Sequence, residues 1–135
     1  MNQKRIVVSG KRKTAVAKAM ITEGTGKITI NKKNPENLQL FNRLRLEEPT
    51  RISEKILGKN NFDVFISVRG GGEKSQIEAA RLALAKAIDK FSKSKELTKA
   101  YLDYDRNMLV ADVRRKEVYK PGDSKARAKR QSSKR

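Results

Sequence analysis

The sequence predicts a single α+β domain followed by a basic extension, and three observations carry that reading. Phe62 to Phe91 spells a half-buried strand, three consecutive glycines and a long amphipathic helix; further β-prone runs lie near the N-terminus; and from Arg114 onward apolar residues nearly vanish while cations accumulate. With 135 residues, 36% of them hydrophobic, the chain can build one modest core and not two. The expected boundaries are a globular unit over 1–113 and a basic extension over 114–135 that is disordered when free.

In chain order, Arg5 to Ser9 has the content of a short strand, and Gly10 with Lys11, Arg12 and Lys13 predicts a bulge or loop after it. Thr14–Thr22 and Lys27–Asn31 are extended runs around Glu23-Gly24-Thr25-Gly26, which predicts a hairpin. Val16, Met20 and Thr22 share one face of the first run; Ala15, Ala17, Ala19 and Ile21 share the other, where small side chains suit close packing of a helix. Asn34-Pro35 predicts a helix start leading through Leu38 to Phe41. Glu48-Pro49 predicts a second start, with Ile52, Ile56 and Leu57 on one side and Gly58 at the end.

Phe62, Val64, Ile66 and Val68 then alternate with Asp63, Phe65, Ser67 and Arg69, the period of a strand with one buried face. Gly70, Gly71 and Gly72 predict a tight turn whose backbone is open to close approach. Ser75 with Glu78 reads as a capping box. Ile77, Ala80, Leu84, Ala87, Ile88 and Phe91 form the inward stripe of the helix, opposite Glu78, Lys86 and Asp89. Leu82 falls on the polar side, which predicts cover by a second helix or by a partner. Ser94 can cap a further helix carrying Leu97, Ala100 and Tyr101, and Met108 to Val113 returns to strand-like content. No repeat at solenoid periods is present.

A formal charge of +18 draws polyanions, with nucleic acid first. It is concentrated at the ends. Residues 1–22 carry Lys4, Arg5, Lys11, Arg12, Lys13 and Lys18 with no acid, whereas 23–113 balance thirteen acidic against seventeen basic residues. From Arg114 on, ten cations face only Glu117 and Asp123, and the apolar residues are Val118, Tyr119, Ala126 and Ala128. So few cannot offset the roughly 1–2 kcal/mol per residue lost on ordering a backbone. No apolar run approaches the roughly 20 residues that span a bilayer, and Met1 to Gly10 is too short and polar for a signal peptide, so a cytoplasmic chain is expected. The absence of cysteine and histidine removes disulfides, thiolate metal sites and the commonest general base. With no tryptophan and few aromatics, a base-stacking platform for single strands is poorly supplied.

Three motifs have competing readings. Gly70 to Ser75 links strand to helix and ends in Lys74-Ser75, yet Glu73 intervenes before the lysine and Phe65 stands where a shifted phosphate loop needs glycine. A structural turn, with or without contact to an RNA backbone, stands in its place. Lys11, Arg12 and Lys13 are either a solvated cluster or a phosphate contact; the second is favoured because adjacent cations repel without an anionic partner. Asp103, Asp105 and Asp112 lie among Arg106, Arg114 and Arg115, which favours an ion-pair network aiming the arginines over a metal or acid/base site. In the extension, cations alternate with Ser, Gln, Ala and Gly, which suits threading between phosphates better than mere solubilising or targeting.

Taken in order, these residues carry a resemblance. Gly10-Lys11-Arg12-Lys13 with Thr14-Ala15-Val16-Ala17, Gly24-Thr25-Gly26-Lys27 with Ile28-Thr29-Ile30-Asn31, Arg69-Gly70-Gly71-Gly72 with Gln76 and Ala80-Arg81, Asp105-Arg106, and the ending from Lys125-Ala126-Arg127 to Gln131-Ser132-Ser133-Lys134-Arg135 resemble the family of the ninth protein of the small ribosomal subunit, in its archaeal branch. The resemblance implies a two-layer α+β sandwich in which helices cover one face of a mixed four-stranded sheet, with a left-handed β-α-β crossover like that of the second domain of ribosomal protein S5. It implies a structural constituent of the subunit head, with small-subunit rRNA, neighbouring head proteins and peptidyl-site tRNA as partners. No catalysis, cofactor, metal, membrane or homo-oligomer is implied. The residues expected on rRNA are Lys4, Arg5, Lys11, Arg12, Lys13, Lys18, Arg69, Gly70, Gly71, Gly72, Lys74, Arg106, Arg114, Arg115, Lys116, Lys120, Lys125, Arg127, Lys129 and Arg130. Those expected on the tRNA anticodon stem-loop are Ser133, Lys134 and Arg135. The alternatives are a free-standing RNA chaperone or architectural nucleic-acid-binding protein and, more remotely, an NTP-using enzyme.

Overall fold

The computed structural model describes residues 5–114. Strands β1 (Ile6–Arg12), β2 (Ala15–Glu23), β3 (Ile28–Ile30) and β4 (Phe62–Arg69) form one mixed sheet in the order β1-β2-β4-β3. Helices α1 (Leu40–Leu57), α2 (Glu73–Ser92) and α3 (Lys95–Tyr104) complete the domain, with 3-10 turns at Pro35–Asn37 and Arg106–Met108. β2 is antiparallel to both β1 and β4, while β3 runs parallel to β4 and reaches it through α1. This is the α+β class that the sequence predicts.

β4 alternates as expected, burying Phe62, Val64, Ile66 and Val68. Ala15, Ala17, Ala19 and Ile21 of β2 are fully buried and lie, with β4, beneath α2. α2 is buried on more sides than its stripe predicts: Ala79 and Ala83 rest over Gly10 of β1, α1 packs against the helix as well, and Ala79, Ala83 and Ala85 are as inaccessible as Ala80 and Leu84. Leu82 is buried too, as its misfit position requires. Phe62 and Phe91 meet edge to face at 6.0 Å, closing the far end of the helix onto the sheet.

Five local expectations are corrected. There is no bulge at Gly10: β1 runs unbroken to Arg12, and Gly10 pairs with Ala17. Its missing side chain serves the helix, since a Cβ there would lie 2.5 Å from the Ala79 carbonyl oxygen and 2.7 Å from the Ala83 nitrogen. Residues 23–26 do not close a hairpin, because β4 inserts between β2 and β3. The loop instead wraps the Asp63 carboxylate, whose Oδ1 accepts the amides of Thr25 (3.0 Å), Gly26 (3.3 Å) and Lys27 (3.0 Å). The two short helices are one: α1 passes through Pro49, and Asn34 caps only the preceding 3-10 turn. Interior proline costs roughly 3 kcal/mol; packing of α1 on α2 and α3, and the buried Tyr101 hydroxyl donating to the Pro49 carbonyl at 2.8 Å, outweigh it. The capping box is not made, because α2 begins ahead of Ser75 with Gly72 as its cap, and Glu78 pairs with Arg45 instead. Met108 to Val113 forms no strand; its start belongs to the 3-10 turn that follows α3. The Ser94 cap forms as expected, accepting the Leu97 amide at 3.4 Å, and Gly58 ends α1.

Gly10→Ala must push β1 from α2 and should cost about 1–3 kcal/mol in urea unfolding, with the wild-type m-value retained. Asp63 gives a pH test. The Lys27 amide foremost, opposed by partial burial, holds its carboxyl below the ordinary 3.8. A depressed carboxylate stabilises fully above its unfolded value and loses that contribution as pH falls through the lower folded one. The gap in Tm between wild type and Asp63→Asn should therefore be constant above about pH 5 and shrink below about pH 4.

Candidate nucleic-acid interface

At one end of the domain, segments far apart in sequence converge. The two-residue β1–β2 turn places Lys13 at φ +55, unusual for a residue with a side chain. Beside it lie the glycine turn, the first turn of α2 and the segment 105–114. They surround a basin of about 380 Å³ whose lining includes Lys11, Arg12, Lys13, Arg45, Lys74 and Arg114 against Glu78, Asp105 and Asp112. Leu82 lines it too.

Gly70 and Gly71 hold φ +78 and +67. A Cβ on the first would lie 2.7 Å from the Thr14 carbonyl oxygen, and one on the second 3.0 Å from the Ala15 Cβ. The glycine turn is thus pressed against the β1–β2 turn, and Gln76 pins it by donating to the Gly70 carbonyl at 3.1 Å. Gly72 is different. It caps α2 with nothing within 4 Å of where a side chain would be, so the first amides of the helix face outward beside Lys74, an arrangement that favours anions.

The expected ion-pair network exists for two of its three carboxylates, with arginines partly drawn from elsewhere. Asp112 binds Arg114 at 2.7 Å and, across the basin, Arg12 at 2.9 Å. The hydrogen bond from Arg114, before any other influence, holds the Asp112 carboxyl well below the usual carboxylate range. Asp105 meets Arg81 of α2 at 3.2 Å, and Arg81 also binds Glu48 of α1 at 2.6 Å. Arg81 is only 3% exposed. Burial there opposes its charge, but the two carboxylates outweigh it and keep the guanidinium protonated. Asp103 and Arg106 are exposed.

Of the residues expected on RNA, Lys11, Arg12, Lys13, Lys74 and Arg114 meet at the basin, whereas Gly70, Gly71 and Gly72 do not line it, and the first two press instead on Thr14 and Ala15. Lys18 and Arg69 lie on the other face of the sheet, and Arg5 just precedes β1. Lys4, Arg115, Lys116, Lys120, Lys125, Arg127, Lys129, Arg130, Ser133, Lys134 and Arg135 fall outside the described residues, as does nearly all of the expected extension. Arg45 was not foreseen; only reading 40–57 as one helix would have set it beside the first turn of α2. The basin's cations and outward amides suit phosphate oxygens, and charge contact, not bond making, is the chemistry available.

The model of the family described as ribosomal protein S9/S16 matches residues 10–135. The small ribosomal subunit protein uS9 of Methanococcus vannielii is 48% identical over 127 residues, covering 92% of this chain and 93% of the relative. That of Thermoplasma volcanium is 42% identical over 130 residues, covering 95% and 96%. With the family match reaching the last residue and the archaeal relatives nearly equal in length, the chain belongs to the ribosomal protein S9/S16 family.

Proposed function

We propose that this chain is a structural constituent of the head of the small ribosomal subunit, which binds small-subunit rRNA and neighbouring head proteins in the cytoplasm and is not an enzyme. The observation that carries this is a family match that continues through residue 135, across a stretch whose cations, spaced by Ser, Gln, Ala and Gly, suit contact with a polyanion. The folded unit supplies one contact region at the basin, where Lys11, Lys13 and Lys74 take phosphates and Arg12 and Arg114 are aimed by Asp112. The glycine turn lets the first amides of α2 approach the backbone at Gly72. The extension supplies the larger part of the affinity through Arg115, Lys116, Lys120, Lys125, Arg127, Lys129 and Arg130. Its last residues, Ser133, Lys134 and Arg135, contact the anticodon stem-loop of peptidyl-site tRNA. Phosphate and sugar contacts dominate, so affinity comes with little base readout.

Binding of in-vitro transcribed small-subunit rRNA should fall steeply with salt. Ending the chain after Arg114 should make the slope of log K against log salt shallower by roughly 0.7–0.9 for each phosphate that the extension would have neutralised; an unchanged slope would deny the extension its role. Removing only Ser132 to Arg135 should leave the protein on small subunits through a high-salt wash while weakening their retention of peptidyl-site tRNA. Release in the wash would favour a loosely bound RNA chaperone, and wild-type retention would refute the tRNA contact.

A further inference from the structure

The sheet has a second face, and no described element covers it. Its register sets Val7, Met20, Phe65 and Thr29 in one cross-strand row, Ser9, Lys18 and Ser67 in the next, and Lys11, Val16 and Arg69 in a third. Phe65, on a central strand, is 46% exposed and Val7 62%. A shallow groove beside the Phe65 ring is lined by Thr29, Asn31, Lys32 and Ser67. Lys18, Lys32 and Arg69 are exposed and make no ion pair among the described residues. The carboxylate that the register places on this face, Asp63, is occupied by the amides of residues 25–27.

We propose that this face stacks an unpaired RNA base on Phe65 while Lys18, Arg69 and Lys32 hold the flanking phosphates. The proposal rests on the rRNA-binding reading and adds a second surface and a mode of contact to it. An isolated aromatic ring ringed by free cations has the two complements of a nucleotide, a flat apolar face and a nearby anion. Diagonal cross-strand neighbours such as Phe65 and Lys18 lie about 7–8 Å apart, within reach of a long side chain and close to the separation of base from phosphate. A protein partner would have to bring its own acidic rim to so cationic a patch, and a duplex hides its base faces. An unpaired nucleotide meets both conditions at once.

The chain has no tryptophan, so Phe65→Trp installs a single indole on this face. Emission of the full-length F65W protein should be quenched by poly(U) and far less by poly(A)·poly(U) bound to the same extent through the basic ends. Phe65→Ala should weaken poly(U) binding roughly tenfold and leave duplex binding unchanged. If poly(U) and small-subunit rRNA both bind F65W without quenching, the stacking site is refuted while the rRNA-binding reading stands. If neither RNA binds wild type, that reading itself falls. Emission altered by a neighbouring head protein but not by RNA would assign the face to a protein and overturn the proposal.

Discussion

The close seat of α2 on the sheet is the constraint from which the remaining architecture follows. On the strands the contact is made by Gly10, Ala15, Ala17 and Ala19, and on the helix by Ala79, Ala80, Ala83 and Ala87, all of them inaccessible. Backbones that approach this closely leave no void a larger side chain could use, so the interface gains packing over many short contacts. It also fixes where the helix begins. With the Ala79 and Ala83 backbone resting over Gly10, the first turn of α2 must emerge beside the β1–β2 turn, and the glycine turn must fold back on Thr14 and Ala15 to get there.

That geometry explains how a neutral core and a cationic end coexist. Arg81 is the hinge between them. Buried at 3% exposure, it ties α2 to Glu48 of α1 and to Asp105. Its partners are partly exposed, so the network contributes less stability than position. The position matters because Asp105 begins the segment that ends at Arg114, where Asp112 joins Arg12 and Arg114. Arg114 therefore lies at the same end of the domain as the Lys11 to Lys13 cluster. Repulsion among those cations is moderated within the fold by carboxylates set between them.

The open sheet face shows how composition can mislead. Few aromatics argue against a stacking platform when they are only counted, but a single phenylalanine on a central strand, facing away from the core and flanked by cations that make no ion pair among the described residues, has a meaning set by place. The alternation of β4 already puts Phe65 opposite Val64 and Ile66. What no count shows is that no described element covers that side.

The chain by itself determined the strand at 62–69, the core stripe of α2, the alanine face of β2, the Ser94 cap and the division of charge, because each rests on local period or composition. The family was legible too, since its motifs stand in order. The tertiary structure alone decided strand neighbours and helix continuity. A loop such as Gly24 to Gly26 suits a hairpin as well as a clasp on Asp63, and only insertion of β4 chooses between them. Proline ends most helices, and only packing on both sides of Pro49 carried α1 through it. Arg45 joined the basin, and Arg12 and Arg81 found their carboxylates, through contacts between residues dozens of positions apart, which local pattern does not encode.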